Sequence, residues 1–220
     1  LVMCSTDNKP SKEAQYISLL KQKKVDGIIV STGFSEEALL QSLIEQHIPI
    51  ALLARDMPSL EADSVKVDDA WGGYRAVSHL VELGHRRIAV IAEDLKLANM
   101  RERVQGYWRA LSEAEIPFDD GLVEVSDFSA DGAKNCAYRL LERPKPPTAI
   151  FACNDLLATG VIRAARELGL TIPWDLSVVG FDDIAVAEIV DPPLTTVAQP
   201  IARMGRQVID LLVEEIRGQK

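Results

Sequence analysis

The sequence predicts an α/β protein made of two doubly wound parallel-sheet lobes. Three observations predict it. Short apolar runs rich in β-branched residues alternate with stretches of helical periodicity along the chain. Three of those runs end in paired polar residues: Asp68-Asp69, Asn154-Asp155 and Asp182-Asp183. Open parallel sheets bind ligands in the crevice beyond the carboxyl ends of their strands. Finally, Ser177 to Pro200 supplies a strand (177–181), a polar tip and a crossover in one segment. Pro192-Pro193 forbids helix there, Leu194 to Val197 reads as a short crossing strand, and Pro200 suits the first turn of a helix.

Taken in order, Leu1 to Cys4 reads as a strand ending in the polar loop 5–8. Ser11, Glu13 and Ala14 open a helix with Ile17, Leu19 and Leu20 as its apolar positions, and Asp26-Gly27 turns the chain into the strand Ile28 to Val30. Ser35 caps the next helix; Glu36 and Glu37 suit its dipole, and Ala38, Leu39, Leu43 and Ile44 form its buried stripe. Strands follow at 49–54 and 65–67. A helix from Gly72 to Leu83 turns Ala76, Val77, Leu80 and Val81 inward and ends at Gly84. Ile88 to Ala92 is a strand, and 99–114 a helix with Val104, Tyr107, Trp108 and Leu111 on one face. Leu122 to Val125 is a strand, and Ser129 caps a helix reaching Leu141. Pro144, Pro146 and Pro147 break the chain before the strand 148–153. Helices then run over 156–168, ended by Gly169, and over 201–216.

Bulk properties narrow the function. The 220 residues carry a net charge of −9, with no Lys/Arg stripe, so this chain alone is a poor nucleic-acid binder. A hydrophobic content of 47% supports a sizeable core, and no run is long enough to span a membrane. Cys4, Cys136 and Cys153 lack metal-type spacing and read as small buried thiols in a reducing compartment. His47, His79 and His85 do not cluster, and neither a Ser–His–Asp set nor a glycine-rich phosphate loop is present. No catalytic residue, metal ligand or cofactor is assigned.

Residues 177–200, SVVGFDDIAVAEIVDPPLTTVAQP, closely resemble the signature of the LacI/GalR family of bacterial transcription regulators, in their effector-binding core. The resemblance extends over 68–84 (DDAWGGYRAVSHLVELG), His85 to Ile88, 147–155 (PTAIFACND) and 168–183 (LGLTIPWDLSVVGFDD), in the family order. It implies two flavodoxin-like lobes joined by crossover strands, the periplasmic binding protein-like I fold. The first lobe would hold 1–84 and 197–220, and the second 85–196. The first strand and helix of the family's first lobe have no counterpart, nor do its helix-turn-helix head and hinge helix. The chain is therefore expected to be a fragment of a longer protein, or to have an altered first lobe. The implied function is sensing a small polar effector, sugar or purine-like, in a cleft between the lobes of a cytoplasmic homodimer. Operator DNA is contacted only through the missing head, and membranes are not involved. The helix 156–168 and the apolar loop 184–190 are the candidate dimer faces. A periplasmic sugar-binding protein of a transporter shares the fold and is the alternative.

The resemblance also marks candidate ligand residues. Asp182 stands where the family's effector-accepting carboxylate stands; the alternative is a turn capped by its own side chain. Asp183 is read as structural or part of the hinge. One of Asp68 and Asp69 lines the cleft. Trp71, just beyond, either stacks on a sugar or base face or fills the core. Arg103 and Gly106 match the family's RxxG pattern, and a guanidinium there offers a planar fork to ligand oxygens. Arg101 nearby is the competing surface arginine. The loop 92–100 departs from the family, with Glu93-Asp94-Leu95-Lys96-Leu97 where small polar residues are usual, leaving Asn99 as its contact. Phe128 takes the position of a stacking aromatic or packs in the core. Asn154 and Asp155 either bind hydroxyls or, for Asn154, cap the following helix. His85, of the family's GH dipeptide, is a structural tie.

Overall fold

The computed structural model describes residues 1–6, 9–31 and 37–218. The elements run α1 (Pro10–Gln22), β1 (Ile28–Val30), α2 (Glu37–Glu45), β2 (Ile50–Leu53), β3 (Asp63–Val65), α3 (Asp69–Glu82), β4 (Ile88–Ala92), α4 (Ala98–Glu113), β5 (Val123–Val125), α5 (Ala130–Leu141), β6 (Ala149–Ala152), α6 (Asp155–Glu167), β7 (Ser177–Asp182), α7 (Val186–Ile189), β8 (Thr195–Ala198) and α8 (Ile201–Ile216). They form two compact units, Leu1–Val67 with Pro200–Lys220, and Asp68–Gln199. The division falls earlier than the sequence places it: α3 groups with the second unit because it packs along α4.

In the first unit, β1, β2 and β3 form a parallel sheet in that order, Ile28 beside Ile50 and Leu52 beside Ser64. Period-two alternation splits β2 between two cores. Ile50 and Leu52 pack with Ile17 of α1 and with Leu40 and Leu43 of α2; Ala51 packs with Met204, Val208 and Leu212 of α8. A sheet covered on both faces needs such continuously apolar strands. The α2 stripe is turned by about one position from the expected set: Leu40 is buried and Ala38 exposed. The expected Ser35 cap lies outside the described residues. β3 begins two residues earlier than expected, at Asp63.

The expected strand at Leu1–Cys4 does not form. It has no ladder partner, and all four side chains are exposed, including the Cys4 thiol expected to be buried. Strand-forming composition fits a pleated, paired surface and does not create one without a neighbour. Cys136 and Cys153 are buried as expected.

The second unit holds a parallel sheet in the order β5-β4-β6-β7-β8. The chain leaves β4 outward to β5 on one side and returns to β6 on the other, so the topological switch point lies between β4 and β6. Ile88, Val90, Phe151 and Phe181 face α3 and α4, while Ala89, Ile91, Ile150 and Val178 face α5 and α6. Ser129 caps α5 as expected, its Oγ accepting from the Gly132 amide at 2.9 Å. Trp108, expected on the buried face of α4, is half exposed and meets Phe118 edge-on. His85 bridges the first residues of the sheet, Nδ1 to Thr148 Oγ1 at 2.8 Å and Nε2 to Ser177 Oγ at 2.9 Å. Helices α3 and α4 touch backbone to backbone: a Cβ on Gly73 would lie 2.2 Å from the Arg103 carbonyl oxygen, and one on Gly106 2.2 Å from that of Ala70.

Candidate functional site

The polar cluster lies in the second unit, at the carboxyl ends of β4, β6 and β7. Arg103, in the second turn of α4, is its centre, with only 4% of its side chain exposed. Its Nε donates to Asp69 Oδ1 at 2.8 Å. Its Nη1 donates to the Cys153 carbonyl at 2.5 Å and to Asp182 Oδ1 at 3.1 Å. The guanidinium carbon sits 3.6 Å from the centroid of the Phe181 ring, a cation–π contact that supports the buried charge. The seam at Gly73 and Gly106 places this arginine, because only glycines let the two helices come so close.

The strand ends supply the rest. Asp182, the last residue of β7, also accepts from Gln199 Nε2 at 2.6 Å. Its backbone has φ +111° and that of Asp183 φ +58°. A non-glycine residue at +111° is strained, and such strain concentrates where side chains must be aimed. Glu93, just beyond β4, accepts through Oε1 from Asn154 Nδ2. That bond spans the switch point between β4 and β6. Asn154 Oδ1 in turn caps α6, accepting from the Leu157 amide at 2.8 Å.

One guanidinium thus sits among three carboxylates, and burial shows in their proton affinities. Glu93 is pushed up to about 7, chiefly by desolvation and further by Asp182, against the pull of Arg103 and the Asn154 hydrogen bond. Burial also raises Asp69 and Asp182, outweighing the attraction of Arg103 in each case. The cluster is rich in acceptors and poor in donors.

The eight sequence candidates fare differently. Arg103, Asp182 and Asn154 come together in the cluster. Arg103 is not a surface helix residue; the exposed arginine is Arg101, which donates to the carbonyls of Leu95 and Lys96. Asn99 lies one helical turn before Arg103 on the same face of α4. Of the two adjacent aspartates, Asp69 bonds the guanidinium. Asp68 caps α3, accepting from the Trp71 amide at 2.8 Å. Asp155 is wholly buried, and the fold uses both its oxygens: Thr196 Oγ1 donates to one at 2.5 Å and the Ile184 amide to the other at 2.9 Å. Trp71 is 49% exposed and stacks on Tyr74 at 5.1 Å; Phe128 is 65% exposed beyond β5. Neither fills a core.

Glu93, Phe181 and Gln199 escaped the sequence reading. The strand-end rule that selected Asp182 applies equally to Glu93, which directly follows Ala92. Gln199 lies inside the PPLTTVAQP run, one residue past β8.

Two doubly wound parallel units, one with a polar cluster at the switch point of its sheet, define a two-unit α/β binding domain. The periplasmic binding protein-like domain model matches residues 77–220. The chain is 46% identical over 210 residues to the HTH-type transcriptional regulator DegA of Bacillus subtilis (strain 168), covering 94% of this chain and 62% of that protein. It is 38% identical over 220 residues to the HTH-type transcriptional repressor PurR of Vibrio atlanticus, covering 99% and 65%. Among solved structures, the transcription regulator CcpA of Lactococcus lactis superposes with TM-score 0.91 at 29% identity, over 99% of this chain and 79% of that one. A transcriptional regulator CelR–cellobiose complex gives 0.89 at 35%, over 96% and 65%. A LacI family regulator from Enterococcus faecium with bound ribose gives 0.86 at 33%, over 98% and 78%. The chain belongs to the periplasmic binding protein-like domain family, in the form found in LacI-type transcriptional regulators. It spans somewhat under two thirds of the two curated relatives, which are named as a regulator and a repressor rather than as enzymes or transport proteins.

Proposed function

We propose that this chain is the effector-sensing part of a LacI-type transcriptional regulator, and that a small polar metabolite of the sugar or nucleobase class binds at the Arg103 cluster. The observation that carries this reading is the buried Arg103–Asp69 pair, with the partly exposed Asp182 on the same guanidinium, at the carboxyl edge of the second unit's sheet, and Glu93 and Asn154 joined across the switch point. Buried charges cost stability unless they are paired or serve a ligand. The cellobiose and ribose complexes of related structures support the ligand class.

Regulation follows from linkage. An effector shifts an equilibrium only by the difference in its affinity for the two states. DNA binding belongs to a separate head, since this chain is acidic; the assembly is a cytoplasmic homodimer. The test is a thermal-shift screen of sugars and purines, followed by calorimetry on the hits. A ligand that stabilises the chain and loses affinity on Arg103→Ala supports the reading. Hits whose affinity is unchanged by that substitution refute it.

A further inference from the structure

Asp182 and Asp183 are consecutive residues with φ +111° and +58°. Glycine would take up such angles without cost; a residue with a Cβ holds them only where its neighbours enforce them. Arg103 and Gln199 grip the Asp182 carboxylate. The turn behind that carboxylate is held from another direction, by α6. Asp155, at the first position of α6, is wholly buried. Its Oδ2 accepts from the Ile184 amide at 2.9 Å, directly after the two strained residues. Its Oδ1 accepts from Thr196 Oγ1 of β8 at 2.5 Å. The Asp183 amide also favours its charged form, as does its place in the first turn of a helix. β7 makes room for this carboxylate with a glycine: a Cβ on Gly180 would lie 2.3 Å from Asp155 Oδ1. Gly180 is the ladder partner of Thr196, so one buried carboxylate joins α6, the exit of β7 and β8. A buried polar network with its partners in place fixes one geometry.

We propose that Asp155 is a positioning residue for effector binding: it touches no effector, and it aims Asp182 by holding the Ile184 amide. This rests on the effector reading above. Wholly buried, Asp155 offers an effector no surface of its own. Its two oxygens divide the work. The bond to Ile184 fixes the strained turn, and the bond to Thr196 ties that turn to the neighbouring strand. Without the first bond, the backbone at 182 and 183 is free to relax to negative φ, and the Asp182 carboxylate swings away from Arg103.

The test is calorimetry with ribose, cellobiose and adenosine as probes, on the unmodified chain, Asp155→Ala, Asp182→Ala and the double variant, each shown to be folded by circular dichroism. Asp155→Ala should weaken binding at least tenfold. In the Asp182→Ala background the same change should weaken it less than twofold, because the group it aims is gone. A residue serving only the fold would lower affinity by the same factor in both backgrounds. That result overturns the proposal, as does unchanged affinity in Asp155→Ala. Asp155→Asn keeps an oxygen for the Ile184 amide and a nitrogen that can donate to the Thr196 hydroxyl. It should bind within threefold of the unmodified chain; a tenfold loss overturns the proposal, even where Asp155→Ala does not fold. A crystal structure of Asp155→Ala needs no ligand: Asp182 should show negative φ and no contact with Arg103. Asp182 unmoved there overturns the positioning role and leaves the effector reading intact. Binding of no probe by the unmodified chain, with Asp182 displaced in that crystal structure, overturns the effector reading and leaves the aiming of Asp182 standing.

Discussion

Asp69 and Arg103 form an ion pair with Nε and Oδ1 2.8 Å apart, and both side chains are almost wholly withdrawn from solvent. Asp182 touches the same guanidinium at 3.1 Å but keeps 25% of its side chain exposed. The two aspartates therefore differ in role: the first holds the arginine in place, and the second faces outward.

Asp69→Ala should lower unfolding stability by about 3 kcal/mol, since it strands a buried charge. Asp182→Ala should cost about 1 kcal/mol, because water replaces part of what is lost. Urea denaturation of the two variants checks the order, and a larger loss at Asp182 would reverse the assignment of roles.

Binding should separate Asp182 from Arg101. Asp182→Ala removes a charge-assisted acceptor and should weaken the effector found by screening by about 1.5–3 kcal/mol. Arg101→Ala, which removes only the ties to the carbonyls of Leu95 and Lys96, should change affinity by less than about 0.5 kcal/mol. Equal losses by calorimetry at positions 101 and 182 would contradict the geometry.

The raised proton affinity of Glu93 fixes a pH dependence. Its folded value, about 7, lies above the ordinary glutamate value of 4.5. Between those limits the folded chain binds more protons than the unfolded one, so this group's contribution falls as pH rises from about 4.5 to about 7. The upper bound is about 3 kcal/mol. Asp69 and Asp182 are shifted in the same direction. Glu93→Gln should flatten the slope between pH 5 and pH 7.5 in paired denaturation curves. An unchanged slope would place the titration elsewhere.

Gly106→Ala should destabilise the chain by about 1–3 kcal/mol, because its methyl group would meet the Ala70 backbone rather than a yielding side chain. Gly205→Ala in α8, where nothing lies within 4 Å of an added Cβ, should be neutral or slightly stabilising. Thermal melts of the two variants distinguish a helix-packing cost from simple helix propensity.

The fold was legible wherever the signal was local. Apolar runs such as 88–92 and caps such as Ser129 depend on neighbours a few residues away. Leu1–Cys4 failed because a strand needs a partner strand, which its own composition does not provide. In the site, Asp182 and Arg103 were readable from position and motif. Choosing Asp69 over Asp68 was not, because which neighbour bonds the arginine depends on where α3 starts and how α4 lies against it. Glu93 was within reach of the strand-end rule, but its bond to Asn154 was not, because the two come from separate segments that only the folded sheet makes neighbours.

Asn154 spends its carbonyl oxygen on the first turn of α6 and its amide nitrogen on Glu93. Whatever disturbs the glutamate pulls on the same side chain that anchors a helix lined with apolar residues. A ligand that contacted Glu93 would therefore pull on that helix without touching it, through a single carboxamide.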